Sequence, residues 1–321
     1  MKPVGEISDL RDVMAIPSAV EGAHASQDET ADSRPLLGTH LNDLYELTKP
    51  RMNFLVVITT MVGFYMAARG TAEWRTLLPT LLGTALTAAS AAVLNQVIER
   101  EHDKLMPRTH NRPLPTGRIS VSEAMVYGIS LGIAGLTLLV TLVNPLTAII
   151  GAFTLLSYIF VYTPLKRLTT LNTVIGALPG ALPPVMGWTA VTGKISPEAI
   201  ALFSILFFWQ MPHFLAIAIM YRRDYEAGGF KMLPVVDPDL VMTSRQIVLY
   251  SVALIPISFG PALVKMSGSF YFATALVLGL VFLAFGINCA RTRTRGDARK
   301  LFFVSIIYLP VLLVALMTNK L

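Results

Sequence analysis

The segment Asn95 to Arg118, NQVIEREHDKLMPRTHNRPLPTGR, holds the densest set of side chains able to do chemistry in this chain. Asn95, Glu99 and Asp103 stand four apart, so on a helix they share one face that drifts slowly around the axis. Three oxygen-bearing side chains in a row suit a hard cation such as Mg²⁺. Arg108 and Arg112 follow, again four apart, and guanidinium groups suit phosphate oxygens. An acidic set and a basic set ordered on adjacent turns point to a metal-bridged diphosphate held at a membrane surface. Glu101 and His102 point off the acidic face and read as exposed or supporting groups.

The elements that must position these residues are membrane helices. Of 321 residues, 54% are hydrophobic and 14% charged, with a mean hydropathy of +0.60; a soluble domain carries about 25% charged residues. Nine apolar runs have the length that spans a bilayer, roughly 52–68, 76–98, 121–143, 146–164, 172–192, 198–220, 246–264, 270–290 and 300–318. Of the 26 Lys and Arg, only Arg69, Arg75, Lys194, Lys265 and Lys320 fall on the side opposite the N-terminus. The positive-inside rule then places the N-terminus in the cytoplasm and the C-terminus outside. The net charge of +6 reflects this asymmetry and not nucleic-acid binding, and the RTRTRGDARK run near 291–300 reads as topology and lipid head-group contact.

Residues 1–45 are polar and mixed in charge, and read as a disordered cytoplasmic tail preceding a membrane domain over 46–321. No apolar h-region follows the first basic residue, so a signal peptide is not expected. Glu6, Asp9, Asp12, Glu21, Asp28, Glu29 and Asp32 disfavour a mitochondrial transit peptide. The expected location is a bacterial inner membrane. One cysteine, Cys289, excludes a disulfide within the chain.

No Asp, Glu, Lys or Arg lies deep in a span, whereas ion-coupled transporters often accept that cost. The pattern suits an enzyme acting on an amphiphile at the cytoplasmic mouth of a bundle, above an apolar cavity. Besides Asn95–Arg118, two cytoplasmic loops are informative: YTPLKRLTTLN at 162–172 and YRRDYEAGGFKMLPV at 221–235. His213 is the only histidine within a span, about 12 Å from its cytoplasmic end at 1.5 Å per residue, and follows the helix-breaking Pro212. It is either a hydrogen-bonded core residue or a contact for a second substrate. Gly176, Pro179, Gly180, Pro183, Pro184 and Gly187 must kink or unwind the fifth span, which is expected to line a cavity, although small residues also allow close packing.

Five blocks, in order, resemble the UbiA superfamily of intramembrane prenyltransferases, and within it the branch that farnesylates protohaem IX. They are the N-x3-E-x3-D-x2-M-x-R-T-x2-R-P-L-P-x-G-R pattern at 95–118, YTPLKRLTTLN at 162–172, GALPGALPPVMGW at 176–188, WQMPHF at 209–214 and DY-x2-GG-x-K-M-L-P-V at 224–235. The resemblance covers essentially residues 46–318.

It implies an all-α bundle of nine transmembrane helices around a central cavity. It also implies transfer of a farnesyl group from farnesyl diphosphate to a vinyl group of haem B, with Mg²⁺ as the cofactor and haem as substrate. Asn95, Glu99, Asp103 and Asp224 are then the implied catalytic metal ligands. Arg108, Arg112, Lys166 and Arg167 are the implied diphosphate contacts, and His213, Trp209 and Tyr162 line the haem or prenyl pocket. Relatives commonly carry two DxxxD-type motifs. Here the first reads Asn95/Glu99/Asp103, and the second keeps Asp224 with Gly228 where another Asp could sit, so the number of Mg²⁺ ions stays open. The implied partners are haem B, farnesyl diphosphate, membrane lipids, and haem A synthase or terminal-oxidase assembly proteins. The alternative is a UbiA-type enzyme acting on an aromatic or quinone precursor. A permease or haem carrier would call for polar groups at midplane that the sequence lacks.

Overall fold

The computed structural model describes residues 37–70 and 74–321. Among them the chain is helical throughout: α1 Leu37–Leu47, α2 Pro50–Ala67, α3 Trp74–Asp103, α4 Val121–Leu142, α5 Pro145–Leu156, a π-helical turn Ser157–Tyr162, α6 Thr163–Leu168, α7 Asn172–Ala181, α8 Pro183–Thr192, α9 Pro197–Met220, α10 Arg222–Ala227, α11 Leu233–Val236, α12 Val241–Ser258, α13 Gly260–Leu263, α14 Ser269–Thr292 and α15 Arg295–Thr318. The one β contact among these residues is an isolated bridge between Ser267 and Lys320.

Eight helical segments are long and apolar enough to cross a membrane, beginning with Arg75–Asp103 and ending with Arg295–Thr318. They match eight of the nine expected spans. The first expected span forms α2, of 18 residues, but Arg51 and Asn53 in its first turn dilute its apolar character. The chain is a multi-pass membrane protein of the expected all-α class.

The long helices close a ring. Helix α2 packs on α3, α3 on α4, α4 on α5, α5 on α7 and α8, α7 on α9, α9 on α12, α12 on α14 and α14 on α15; α15 returns to α9 and α2. Helix–helix association in lipid relies on close van der Waals approach through small residues. The tightest seam is α2–α8, where a Cβ on Gly187 would lie 1.9 Å from Thr60 O and one on Gly63 2.0 Å from Pro184 O. The Gly/Pro-rich fifth span breaks into α7 and α8 at Leu182, yet every residue from Pro183 to Ala190 is buried. Close packing, not the expected cavity lining, accounts for its small residues in α8.

Of the expected N-terminal tail, residues 1–36 lie outside the described residues. Residues 37–45 differ from expectation, because they form most of α1. Its mixed charges find partners: Arg118 Nε donates to both Asp43 carboxylate oxygens at 3.1 and 3.0 Å, and His40 Nε2 meets Glu123 Oε1 at 2.6 Å. Leu47 is fully buried with Val93, Leu114, Ile119 and Ala124, and Gln96 Nε2 donates to Leu47 O at 2.7 Å.

Candidate active site

Helix α3 delivers the acidic face at its C-terminal end. Asn95, Glu99 and Asp103 are 2%, 7% and 1% exposed. Carboxylates at a helix C-terminus face the negative end of the macrodipole, and burial adds a desolvation cost. Both problems are met by cations from elsewhere in the chain. Lys166 Nζ lies 2.8 Å from Glu99 Oε1 and donates to Oε2 at 3.1 Å. Arg112 Nη1 donates to Asp103 Oδ2 at 2.9 Å. Lys49 Nζ donates to Asn95 Oδ1 at 3.4 Å, while Asn95 Nδ2 donates to Thr163 Oγ1 at 3.1 Å.

Local structure explains how each cation arrives. Pro164 lacks an N–H and its ring displaces the carbonyl four residues back; the helix widens into the π-turn there, the kind of irregularity found at functional sites. Thr163 Oγ1 bonds Tyr158 O at 2.8 Å, and α6 then carries Lys166 over the Tyr162 ring at 4.6 Å. After α3, Thr109 Oγ1 donates to Asp103 O at 2.8 Å and Arg112 N to Thr109 O at 3.0 Å, which folds the loop back so that Arg112 reaches Asp103. Lys49 is the N-cap of α2 with φ +50°. Burial, reinforced by the Arg112 and Lys166 cations, lowers its pKa to about 7.

The expected residues fall into three groups. Asn95, Glu99, Asp103, Arg112 and Lys166 come together, with Tyr162 beneath Lys166. Arg108 and Arg167 sit apart from the carboxylates. Arg108 lies over the Tyr221 and Tyr225 rings at 4.8 and 5.6 Å, and Arg167 Nη1 contacts His102 Nε2 at 3.1 Å. Asp224, half-buried on α10, makes no side-chain hydrogen bond or ion pair among the described residues, and no cluster of three or more His, Cys, Asp or Glu forms there. Trp209 and His213 form the third group, at the α9–α15 seam. His213 lies between the Trp209 and Phe302 rings at 4.9 and 5.1 Å; its Nδ1 is 2.6 Å from Ser305 Oγ, and Trp209 Nε1 donates to Ser305 O at 2.8 Å. The partner that burial of this imidazole demands is therefore Ser305.

Sequence reasoning missed Lys49, which reads as one more topology charge; its place directly before Pro50, a helix-starting proline, was the available signal.

The donor set fits a hard cation in chemistry. Two buried carboxylates and an amide oxygen share one face, and Glu99 Oε1 has the ion pair with Lys166 Nζ at 2.8 Å as its only partner among the described residues. Lys166 and Arg112 hold both carboxylates, so a metal must share or displace them.

The profile of the UbiA prenyltransferase family matches residues 56–307. The chain is 48% identical over 281 residues to the protoheme IX farnesyltransferase of Solibacter usitatus, covering 85% of this chain and 96% of that protein. Among solved structures, a digeranylgeranylglyceryl phosphate synthase aligns over 88% of this chain and 98% of its own, with a TM-score of 0.72 and 19% identity. A UbiA homolog from Archaeoglobus fulgidus bound to GPP and Mg²⁺ aligns over 86% and 99%, with a TM-score of 0.63 and 19% identity.

Proposed function

The chain belongs to the UbiA prenyltransferase family, and on that premise we propose that it is a prenyltransferase that moves the farnesyl group of farnesyl diphosphate onto a vinyl group of haem B. The product is haem O. The observation that carries the reading is the buried Asn95/Glu99/Asp103 face with Lys166, Arg112 and Lys49 converging on it. A buried row of oxygen donors ringed by three cations is what a metal–diphosphate complex needs, and the farnesyltransferases at more than 40% identity supply the acceptor.

Asn95, Glu99 and Asp103 would hold Mg²⁺, with Asp224 joining from the third cytoplasmic loop, and the ion would supply charge neutralisation for the diphosphate leaving group. The rest of the work is done by side chains. Lys166 and Arg112 stand at hydrogen-bond distance from the carboxylates, and would turn from them onto the diphosphate oxygens. Lys49 adds a third positive group. Cations gathered at this point stabilise the charge that develops on the leaving group. Arg108 and Arg167, held apart from the carboxylates by the Tyr221 and Tyr225 rings and by His102, meet the diphosphate as it arrives. The farnesyl chain lies among apolar helix faces that keep water from the carbocation. The vinyl π-electrons of haem then form the new C–C bond to farnesyl C1. Water adds to the resulting cation on the porphyrin side chain and loses a proton, leaving a hydroxyl. Trp209, Tyr162 and His213 line the haem and prenyl pocket.

The cytoplasmic face of a bacterial inner membrane, with the C-terminus outside, is the location this reading requires, and haem A synthase or terminal-oxidase assembly proteins are its natural protein partners.

The test is a choice of acceptor. Purified protein receives labelled farnesyl diphosphate, Mg²⁺, haem B and an aromatic acid together. Label in haem alone is the expected outcome; label in the aromatic acid alone would overturn the assignment in favour of the quinone-precursor branch.

A further inference from the structure

His102 stands one residue before Asp103 but points off the acidic face, and it is the hub of a latch between three cytoplasmic segments. Its Nδ1 lies 2.8 Å from Gly228 O, and its Nε2 lies 3.1 Å from Arg167 Nη1. A guanidinium only donates, so Nε2 accepts and Nδ1–H donates to the Gly228 carbonyl. The ring also packs on Phe230 at 5.5 Å between centroids. One imidazole thus joins the end of α3, the end of α6 and the loop after α10.

Further contacts close the same latch. Lys231 N donates to Lys166 O at 2.7 Å, Asn172 Nδ2 donates to Lys231 O at 3.0 Å, and Met106, Phe230 and Met232 are buried together. Gly228 occupies the position four residues after Asp224 where a second acid could sit. A Cβ there would meet Met106 Cγ and Sδ at 3.0 Å and Phe230 Cδ2 at 3.0 Å. The loop therefore offers its carbonyl, not a carboxylate, to the helix end that carries Asp103.

We propose that His102 is a positioning residue: it anchors the Gly228–Phe230 loop to the end of α3, and so sets Asp224 and Lys166 over the acidic face for the metal–diphosphate complex. The inference rests on the prenyl-transfer reading for its kinetic consequence but not for the latch itself. Without the anchor, the Gly228–Phe230 stretch would be held only through Lys231, by its bonds to Lys166 O and Asn172 Nδ2, and by apolar packing, and the diphosphate half of the site would be poorly ordered.

The experiment uses full-length protein in nanodiscs with His102→Ala, His102→Asn, Arg167→Ala and, as a control, Lys104→Ala, whose exposed side chain pairs only with Glu101. The first readout is amide deuterium uptake over 224–232, which needs no substrate. His102→Ala should speed uptake there and leave α12–α15 unchanged. The second is steady-state kinetics. KM for farnesyl diphosphate should rise about tenfold, the upper size expected for one lost hydrogen bond, with KM for haem B unchanged. His102→Asn keeps a donor for the Gly228 carbonyl and should restore most of both. Arg167→Ala should speed uptake and Lys104→Ala should not. Unchanged uptake over 224–232 in His102→Ala overturns the proposal; so does an equal rise in both KM values, which marks general loosening. If His102→Ala fails to fold, Arg167→Ala decides: faster uptake over 224–232 supports the proposal, and wild-type uptake there overturns it. Absence of prenyl transfer by the wild type would strike the proposed function alone.

Discussion

At the scale of single residues, the site is an electrostatic arrangement in which cations and carboxylates keep one another buried. Lys166 on Glu99 and Arg112 on Asp103 are pairs whose separation leaves an uncompensated charge, costing about 3–5 kcal/mol when one partner is simply removed. On the proposed reading, a metal and a diphosphate arriving together would exchange partners without stranding either sign. Two predictions follow at this scale. Arg112→Ala should weaken farnesyl diphosphate binding by at least tenfold, about the 1.4 kcal/mol of a charge-assisted contact, while Arg295→Ala, exposed in a topological basic run, should leave it unchanged. Titration of the diphosphate against both variants checks this, and equal losses would reduce the arginines to general surface charge. His213→Phe should raise KM for haem B and spare Mg²⁺-dependent farnesyl diphosphate binding. Normal kinetics for both substrates would leave His213 as a core partner of Ser305 alone.

Legibility in the sequence also divides at this scale. Asn95, Glu99 and Asp103 were readable because a helical period of 3.6 fixes their shared face. Arg112 was readable because it follows closely. Arg108 shares the four-residue spacing with Arg112, and Arg167 rested on the resemblance; both are diverted by tertiary neighbours, the Tyr221 and Tyr225 rings and the His102 imidazole. No local pattern announces those. Lys49 was missed for the same reason: its partner Asn95 is 46 residues away.

Among the elements, hydropathy located the spans to within a few residues, because a bilayer demands a fixed apolar length. It placed the end of the second span at 98, whereas α3 runs to Asp103; the last turn is polar because it is the site. Helix α1 was hidden in a polar segment, since its Leu44 and Leu47 stripe is short and its charges are held by the distant Arg118 and Glu123. The fifth span misled in the other direction: Pro184 and Gly187 serve contact with α2, while Gly176 and Gly180 pack on Tyr162 and Gln210. The α2–α8 seam therefore predicts that Gly187→Leu, whose Cβ alone would sit 1.9 Å from Thr60 O, sharply lowers the thermal midpoint in detergent. Gly296→Ala is the contrast, because its nearest neighbour would be Thr294 Oγ1 at 3.9 Å. A similar fall in both would show that the seam is not specially tight.

Taken whole, the molecule gathers its chemistry at one end. The acidic turn of α3, the Lys166 turn and the α10–α11 loop meet there, while Lys320 at the other end donates to Tyr65 O and Ala68 O. Cys289 is 1% exposed, so introduced cysteines can be labelled over a quiet background. Cysteine at Lys104 should react with an impermeant maleimide only after the membrane is opened, and cysteine at Lys194 in intact spheroplasts; the reverse pattern would invert the proposed orientation.

The central claim is that the end of α3 binds a metal–diphosphate complex. Calorimetric binding of a non-ionising thio analogue of farnesyl diphosphate, with and without Mg²⁺, to wild type and to Asp103→Ala tests it directly. Wild type should bind more tightly with Mg²⁺, and folded Asp103→Ala should lose that enhancement along with turnover. An undiminished Mg²⁺ enhancement in folded Asp103→Ala would contradict the account.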